Sequence, residues 1–315
     1  MKYNFFLILI LLLNNSLFSQ DIHFSQQFVD RLYFNPSKIG DINDYDYRLS
    51  IQRRSQWKSV AEPFSTFSST IERKNLFKNI NIGGQFFNDK SGNSKLNTNQ
   101  LNIALNKKFL VSNINYLSLG FLIGIGQKNI DLSSLIFHDK EALINNNFIY
   151  HDLGVGFNFD INYYNNIKYN FGVSSYHLNK PSNSFNADET IRLPIKNNYN
   201  INIQYNYLKD ILFITDIIYT NQLSSREILI GNRAEINLES LIISPLIYCR
   251  LNDAIILGLG VKQDNISANI SYDINISNLS IASNNKGGFE FSLLYYWKNK
   301  KKLPKIKKEI CPKYL

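Results

Sequence analysis

The chain of 315 residues contains one Met, two Trp, two Cys and four His. Two cysteines, Cys249 and Cys311, are too few for a disulfide scaffold, and neither belongs to a C-x-x-C pair. His23, His138, His151 and His177 show no metal-ligand spacing. A G-x-S-x-G nucleophile elbow and a phosphate-cradling Gly loop are both missing. The neighbours His138-Asp139 and His151-Asp152 read as ordinary polar residues at a loop rim. These absences leave no catalytic, cofactor or metal site to name, and the expectation is a protein that is not an enzyme. After the first few residues no apolar run approaches the ~18 needed for a spanning helix, so insertion into a membrane would have to use strands.

What is present begins with an export signal. Lys2 supplies the positive charge, Phe5 to Leu13 is an unbroken apolar run, and Leu17-Phe18-Ser19 ends in a small residue. Residues 1–19 read as a signal peptide cleaved before Gln20. No Cys would stand at the new N-terminus, which argues against a lipid anchor.

The net charge of +9 belongs mostly to one end. From Lys298 to Leu315 there are eight Lys and one Glu, so the rest of the chain is close to neutral. Nucleic-acid binding is a poor reading for an exported chain with its basicity confined to a tail. Residues 299–315 are read as a basic periplasmic tail, either a solvated terminus or a docking segment for an acidic partner.

Alternation of apolar and polar residues dominates the remainder. In Tyr199-Asn200-Ile201-Asn202-Ile203-Gln204-Tyr205-Asn206-Tyr207 every odd position is aromatic or aliphatic and every even one is Asn or Gln. A strand with this pattern has one oily and one wet face. Fourteen strands are expected, at 45–54, 64–73, 79–88, 98–109, 115–127, 150–160, 167–177, 196–207, 210–220, 226–236, 239–249, 254–262, 265–276 and 288–298. Most match the ~9–11 residues of a tilted membrane strand. Strand 239–249 is the weakest, because Pro245 has no N–H for a ladder and signals a bulge or an interruption.

Loop lengths decide between a soluble sandwich and a membrane barrel. Counting from the first strand, the odd connections include the long 55–63, 89–97, 128–149, 178–195 and 277–287, whereas the even ones are short. Long loops at one rim and tight turns at the other are the outer-membrane pattern, and a sandwich has no reason to sort loops by parity. The short odd connections 221–225 and 250–253 are exceptions. The expectation is an all-β transmembrane antiparallel barrel over residues 45–298, its oily face against outer-membrane lipid. An even strand count sends both ends to the periplasmic side, and residues 20–44 would lie there or fold into the lumen. Gly120, Gly124, Gly126, Gly154, Gly156, Gly172, Gly258 and Gly260 fall mostly on the polar register, where they kink the wall and allow close backbone approach, or keep the lumen wide enough to receive something.

Short motifs at both ends then carry a family resemblance. Phe24-Ser25-Gln26-Gln27-Phe28, Asn35-Pro36-Ser37-Lys38-Ile39-Gly40, Arg54-Ser55-Gln56-Trp57, Pro63 and Asn88-Asp89-Lys90-Ser91-Gly92 come first. Phe171-Gly172-Val173-Ser174, His177-Leu178 and Pro181 follow, then Tyr272-Asp273-Ile274-Asn275 and Gly287-Gly288-Phe289-Glu290. The set resembles the PorP/SprF family of outer-membrane proteins of the Bacteroidetes type IX secretion system. Cys311-Pro312-Lys313-Tyr314 resembles the family's C-P-R-F ending, with Lys and Tyr where the family has Arg and Phe. Ser37 and Ile39 replace Ala-like residues.

The resemblance implies a non-enzymatic barrel that supports secretion and anchors large surface adhesins, gliding adhesins among them, by receiving their C-terminal domain. It also implies contact with the periplasmic ring components of the system. A general porin-like channel for small solutes is the alternative. Candidate partner-contact or motif residues are Asn35, Pro36, Arg54, Trp57, Asp89, Asp273, Glu290, Cys311 and Pro312, together with Arg48. Barrel closure and turn formation account for these residues at least as well as ligand contact.

Overall fold

In the computed structural model the described residues are 23–42, 44–56, 64–92, 96–131, 146–163, 166–185, 190–277 and 286–299. The signal segment, Trp57, Pro63, Cys311 and Pro312 lie outside them, as does the tail beyond Asn299.

Alternating residues rich in β-branched and aromatic side chains form long strands, because each face then meets a uniform environment. The strands are β1 (Tyr47–Gln56), β2 (Phe64–Phe77), β3 (Ile80–Ser91), β4 (Leu96–Leu110), β5 (Tyr116–Asn129), β6 (Asn147–Tyr163) and β7 (Ile167–Tyr176). They continue as β8 (Lys196–Leu208), β9 (Ile211–Gln222), β10 (Ser225–Leu238), β11 (Leu241–Arg250), β12 (Ala254–Gln263), β13 (Ile266–Asn275) and β14 (Lys286–Trp297). Each pairs with its sequence neighbours, and β1 pairs with β14 to close a fourteen-stranded antiparallel barrel. Closure leaves no open edge, so the wall satisfies its own backbone hydrogen bonds, as lipid requires.

The alternation maps onto the two faces as the sequence indicates. On β13, Ile266, Ile270, Tyr272 and Ile274 are exposed outward, whereas Asn269, Ser271, Asp273 and Asn275 are buried inward. Several aromatic side chains stack near the rim where the barrel closes. The Tyr47 ring stacks on Trp297 at 5.0 Å, and Tyr295 on Trp297 at 5.5 Å. Aromatic side chains of this kind mark a membrane interface.

The connections sort by rim. At the rim where β1 starts and β14 ends they are 78–79, 111–115, 164–166, 209–210, 239–240 and 264–265. At the opposite rim they are 57–63, 92–95, 130–146, 177–195, 223–224, 251–253 and 276–285. The long connections thus all lie there beside three short ones, the expected 89–97 among these being shortened as β3 and β4 pair further. Asn79 and Asp264, with φ of 57° and 50°, supply the positive φ that two tight turns require.

Two departures from the sequence reading have local causes. β6 extends from Asn147 to Tyr163 rather than 150–160, because apolar alternation resumes at Phe148 and at Ile161 and ladder pairing continues to Asn129↔Asn147 and Tyr163↔Ile167. Between β10 and β11, pairing passes from Arg233↔Leu246 to Ile236↔Ile243 without a change of register. The gap falls at Pro245, which has no N–H to give, so the result is an interruption and not a bulge.

Inside the barrel lies the chain's own N-terminal segment. Residues 23–42 run through the lumen, with a single helical turn, α1 (Arg31–Phe34), followed by a 3-10 turn at Pro36–Lys38. His23 lies 3.5 Å from Glu227, near the start of β10. Asp41 lies 3.8 Å from Lys108, near the end of β4. The segment therefore passes from the long-connection rim to the short-connection rim, where Asp46 N bonds Trp297 O at 3.0 Å and β1 begins. Its apolar side chains meet the few apolar inward positions. Leu32 and Ile39 pack with Ala104, Leu122 and Tyr176, and Phe28 packs against Leu229, Leu246, Tyr248 and Ile256.

Candidate functional site

Most of residues 23–42 lack a regular ladder of their own, so their backbone groups need partners from the wall. The inward Asn, Ser, Gln and Arg side chains supply them. The Phe34 carbonyl accepts from Ser174 Oγ at 2.6 Å and Asn198 Nδ2 at 3.0 Å. The Leu32 carbonyl accepts from the Tyr176 hydroxyl at 2.5 Å. The Ile39 carbonyl accepts from Asn81 Nδ2 at 3.1 Å and Asn106 Nδ2 at 2.7 Å. The polar inner face thus reads the backbone of a segment that the same chain provides.

The strongest grip is a charged clamp at the closing seam. Glu290 of β14 accepts the backbone N–H of Ser25 and of Gln26, each at 2.8 Å. Arg54 of β1 donates to Glu290 Oε2 at 3.0 Å, to Asp273 Oδ2 at 2.6 Å, and to Ser25 Oγ. Ser25 Oγ donates to Asp273 Oδ1 at 2.8 Å, and Arg250 Nη2 donates to Ser25 Oγ at 3.0 Å. Gln52 Nε2 spans Glu290 Oε1 at 2.6 Å and the Gln26 carbonyl at 3.1 Å. Gln26 in turn donates to Ser271 Oγ at 3.0 Å and accepts from Ser292 Oγ at 2.6 Å. One dipeptide therefore ties together β1, β13 and β14.

A second grip lies nearer the short-connection rim. Arg48 of β1 pairs with Glu72 of β2 and donates to the Phe28 carbonyl at 3.2 Å and to the Val29 carbonyl. Glu72 also accepts the Gly40 N–H at 2.9 Å. Gly40 has φ of 78°, and a Cβ there would overlap the Asn81 side chain, so glycine is required on both counts.

Asp30 forms a third contact set and caps α1. It accepts from Tyr33 N at 3.4 Å, Thr70 Oγ1 at 3.0 Å, Gln85 Nε2 at 2.6 Å and Ser68 Oγ. Burial pushes its carboxyl above the ordinary value, against the pull of those hydrogen bonds.

Asn35-Pro36-Ser37 presses directly on the wall. Asn35 Nδ2 donates to the Phe157 carbonyl at 3.1 Å, and Asn35 Oδ1 accepts from Ser37 N at 3.0 Å. A Cβ at Gly120 would overlap the Ser37 and Pro36 backbone, and one at Gly156 would overlap Asn35 and Pro36. These two glycines provide the close approach that seats the segment.

Of the residues singled out from sequence, Arg54, Asp273 and Glu290 meet in the seam clamp, Arg48 forms the second grip, and Asn35 and Pro36 sit mid-lumen. Asp89 stands apart, accepting from Thr66 Oγ1 at 2.8 Å and Ser91 Oγ at 3.0 Å. Sequence reasoning missed Gln52, Glu72, Arg250 and Asp30. A signal existed for three of them: Gln52, Glu72 and Arg250 stand on the inward register, where a charged or amide side chain must find a partner.

Two of the cavities beside the segment bear on function. One, of about 100 Å³, is lined by Tyr33, Asp89, Tyr150, His177 and Lys196 and lies toward the long-connection rim. There His177, at φ 59°, places its backbone N and its Nδ1 each 3.0 Å from Asp152 Oδ1. The other, of about 130 Å³, lies against β7 to β10. Among the described residues no group of three His, Cys, Asp or Glu is placed to hold a metal ion.

Residues 16–295 match the family described as type IX secretion system membrane protein PorP/SprF. No curated protein sequence matches the chain. Solved barrels share the fold at very low identity. A TodX deltaS2S3 mutant, titled a monoaromatic hydrocarbon channel, superposes with TM-score 0.53 at 6% identity, covering 85% of this chain and 94% of its own. A Pseudomonas aeruginosa FadL homologue gives TM-score 0.50 at 8% identity, covering 84% and 93%.

Proposed function

The chain belongs to the PorP/SprF family of type IX secretion system membrane proteins, and on that premise we propose that it is a closed outer-membrane platform for a large secreted adhesin. In this reading the barrel binds the adhesin's C-terminal domain at the long-connection rim and holds it at the surface, a gliding adhesin being one such cargo. The rim with short turns, the two chain ends and the Lys-rich tail face the periplasm, where the tail meets ring components of the secretion system. The role is non-enzymatic, which the family and the fold both fit.

The observation that carries this reading is the occupied lumen. Residues 23–42 run from rim to rim and are locked to β1, β13 and β14 through Ser25 and Gln26. A lumen already filled by its own chain supports a holding role over a steady pore for small solutes. It also moves the expected contact with the adhesin out of the barrel centre and onto the rim. The cavity lined by Asp89 and His177, both from motif segments, lies on that side.

Affinity capture of the barrel from outer membranes tests the proposal. It predicts co-purification of a large secreted protein through its C-terminal domain, and loss of that protein from the cell surface when the barrel gene is deleted. Recovery of the barrel alone with an unchanged surface proteome would contradict it.

A further inference from the structure

The cavity between the segment and β7 to β10 carries more cations than carboxylates. Arg31 and Lys38 reach it from the segment, Lys168 from β7 and Arg233 from β10, against Asp41 and Asp216. Both carboxylates are already engaged. Asp216 accepts from Asn202 Nδ2 and from the Tyr248 hydroxyl, each at 2.7 Å. Asp41 lies 3.8 Å from Lys108 and 3.9 Å from Lys168.

Two of the cations are poorly matched. Arg31 is held, donating to the Asp41 carbonyl at 2.6 Å and lying 3.8 Å from Glu72. Lys38 has no carboxylate within ion-pair distance among the described residues. Arg233 stacks 4.1 Å over the Phe28 ring, and among the described residues its ion-pair partner is Glu235, at 3.9 Å. Its Nε is buried without a hydrogen-bond partner. Cations removed from water without a counter-charge are costly, and an enclosed polar space beside them favours an anion.

We propose that this chamber is an oxyanion-binding site in which the Lys38 ammonium and the Arg233 guanidinium hold one carboxylate or phosphate group. Arg is suited to a forked contact with two oxygens, and Lys adds a point charge. Lys168 and Gln204 put the chamber toward the short-connection rim, so the anion enters from that side. The Lys-rich tail is excluded as occupant by its own sign. Two sources share the required chemistry: an acidic stretch of polypeptide, or free phosphate.

Calorimetric titration of the full-length barrel in detergent at fixed ionic strength separates them, using inorganic phosphate and a hexaglutamate peptide as probes. Saturable binding is expected, weakened about tenfold or more in Lys38→Gln and in Arg233→Gln. Peptide binding that phosphate displaces identifies a polypeptide source, and binding of phosphate alone identifies a small anion. Lys107→Gln, on the outward register of β4, is expected to leave binding unchanged. The faster gel mobility of unheated barrels checks folding of each variant. If Arg233→Gln does not fold, Lys38→Gln decides alone, because Lys38 makes no ion pair among the described residues. Absence of saturable binding for both probes, or unchanged affinity in Lys38→Gln, would overturn the proposal.

Discussion

Arg54 on the first strand and Glu290 on the last are direct cross-strand partners, joined by an ion pair of 3.0 Å over the line where the barrel closes. Both are buried, and both also hold Ser25 of the segment inside. Closure of the wall and seating of the segment therefore share the same atoms.

Breaking one side of that pair leaves a buried charge. Glu290→Gln or Arg54→Met is expected to destabilise the folded barrel by about 3–5 kcal/mol. The double variant should lose clearly less than the two single losses added together, because neither charge is then stranded. Urea unfolding followed by tryptophan fluorescence measures this, and additive losses would show that the two residues act independently.

Gly120 and Gly156 should be sensitive for a different reason. Val at either position intrudes on Asn35-Pro36-Ser37 and is expected to unseat the segment while leaving the wall paired. Limited proteolysis within residues 23–42 reports the change. Gly84→Ala is the control, since its new Cβ would meet Ile71 at an ordinary 3.7 Å.

Asp30 links seating to mild acid. Its carboxyl is raised from 3.8 in the seated segment, so the seated state binds the proton more tightly than the released one. Seating should strengthen as pH falls from the raised value toward about 3.8, with nothing further below that. Asp30→Asn should flatten this response in amide exchange of residues 23–42. Asp30→Ala strands the Ser68, Thr70 and Gln85 donors and should weaken seating by roughly 1–3 kcal/mol for each group left without a partner.

Lys38 acts at the other end of the scale. Burial lowers its ammonium from 10.5 to about 8, with Arg31 pushing the same way and Asp216, Asp160 and Asp41 opposing. Arg233 and Lys168 line the same cavity. The cost of the charge is fully present below about 8 and is relieved as pH rises from there to 10.5, so seating should tighten across that window. Lys38→Gln should abolish that part of the pH dependence in the same exchange measurement.

The wall was legible in the sequence because period-two alternation is local: Tyr47, Leu49 and Ile51 against Arg48, Ser50 and Gln52 can be read without knowing any partner. Loop parity added the closed topology. The family motifs pointed to Arg54, Asp273 and Glu290 but not to their joint purpose. Their meeting with Ser25 spans more than two hundred residues of sequence, and no local pattern encodes it. The sequence alone keeps residues 20–44 between the periplasmic side and the lumen, because a segment without ladder or amphipathic period shows its environment only through what grips it. Of the glycines on the polar register, Gly120 and Gly156 provide close backbone approach, and what approaches is a segment of this same chain.

Single-channel recording in planar bilayers tests the central claim, that residues 23–42 close the barrel. The full-length protein should show little steady conductance, and Gly156→Val should open a stable pore through the same wall. Steady porin-sized currents from the unaltered protein would contradict a lumen closed by its own N-terminal segment.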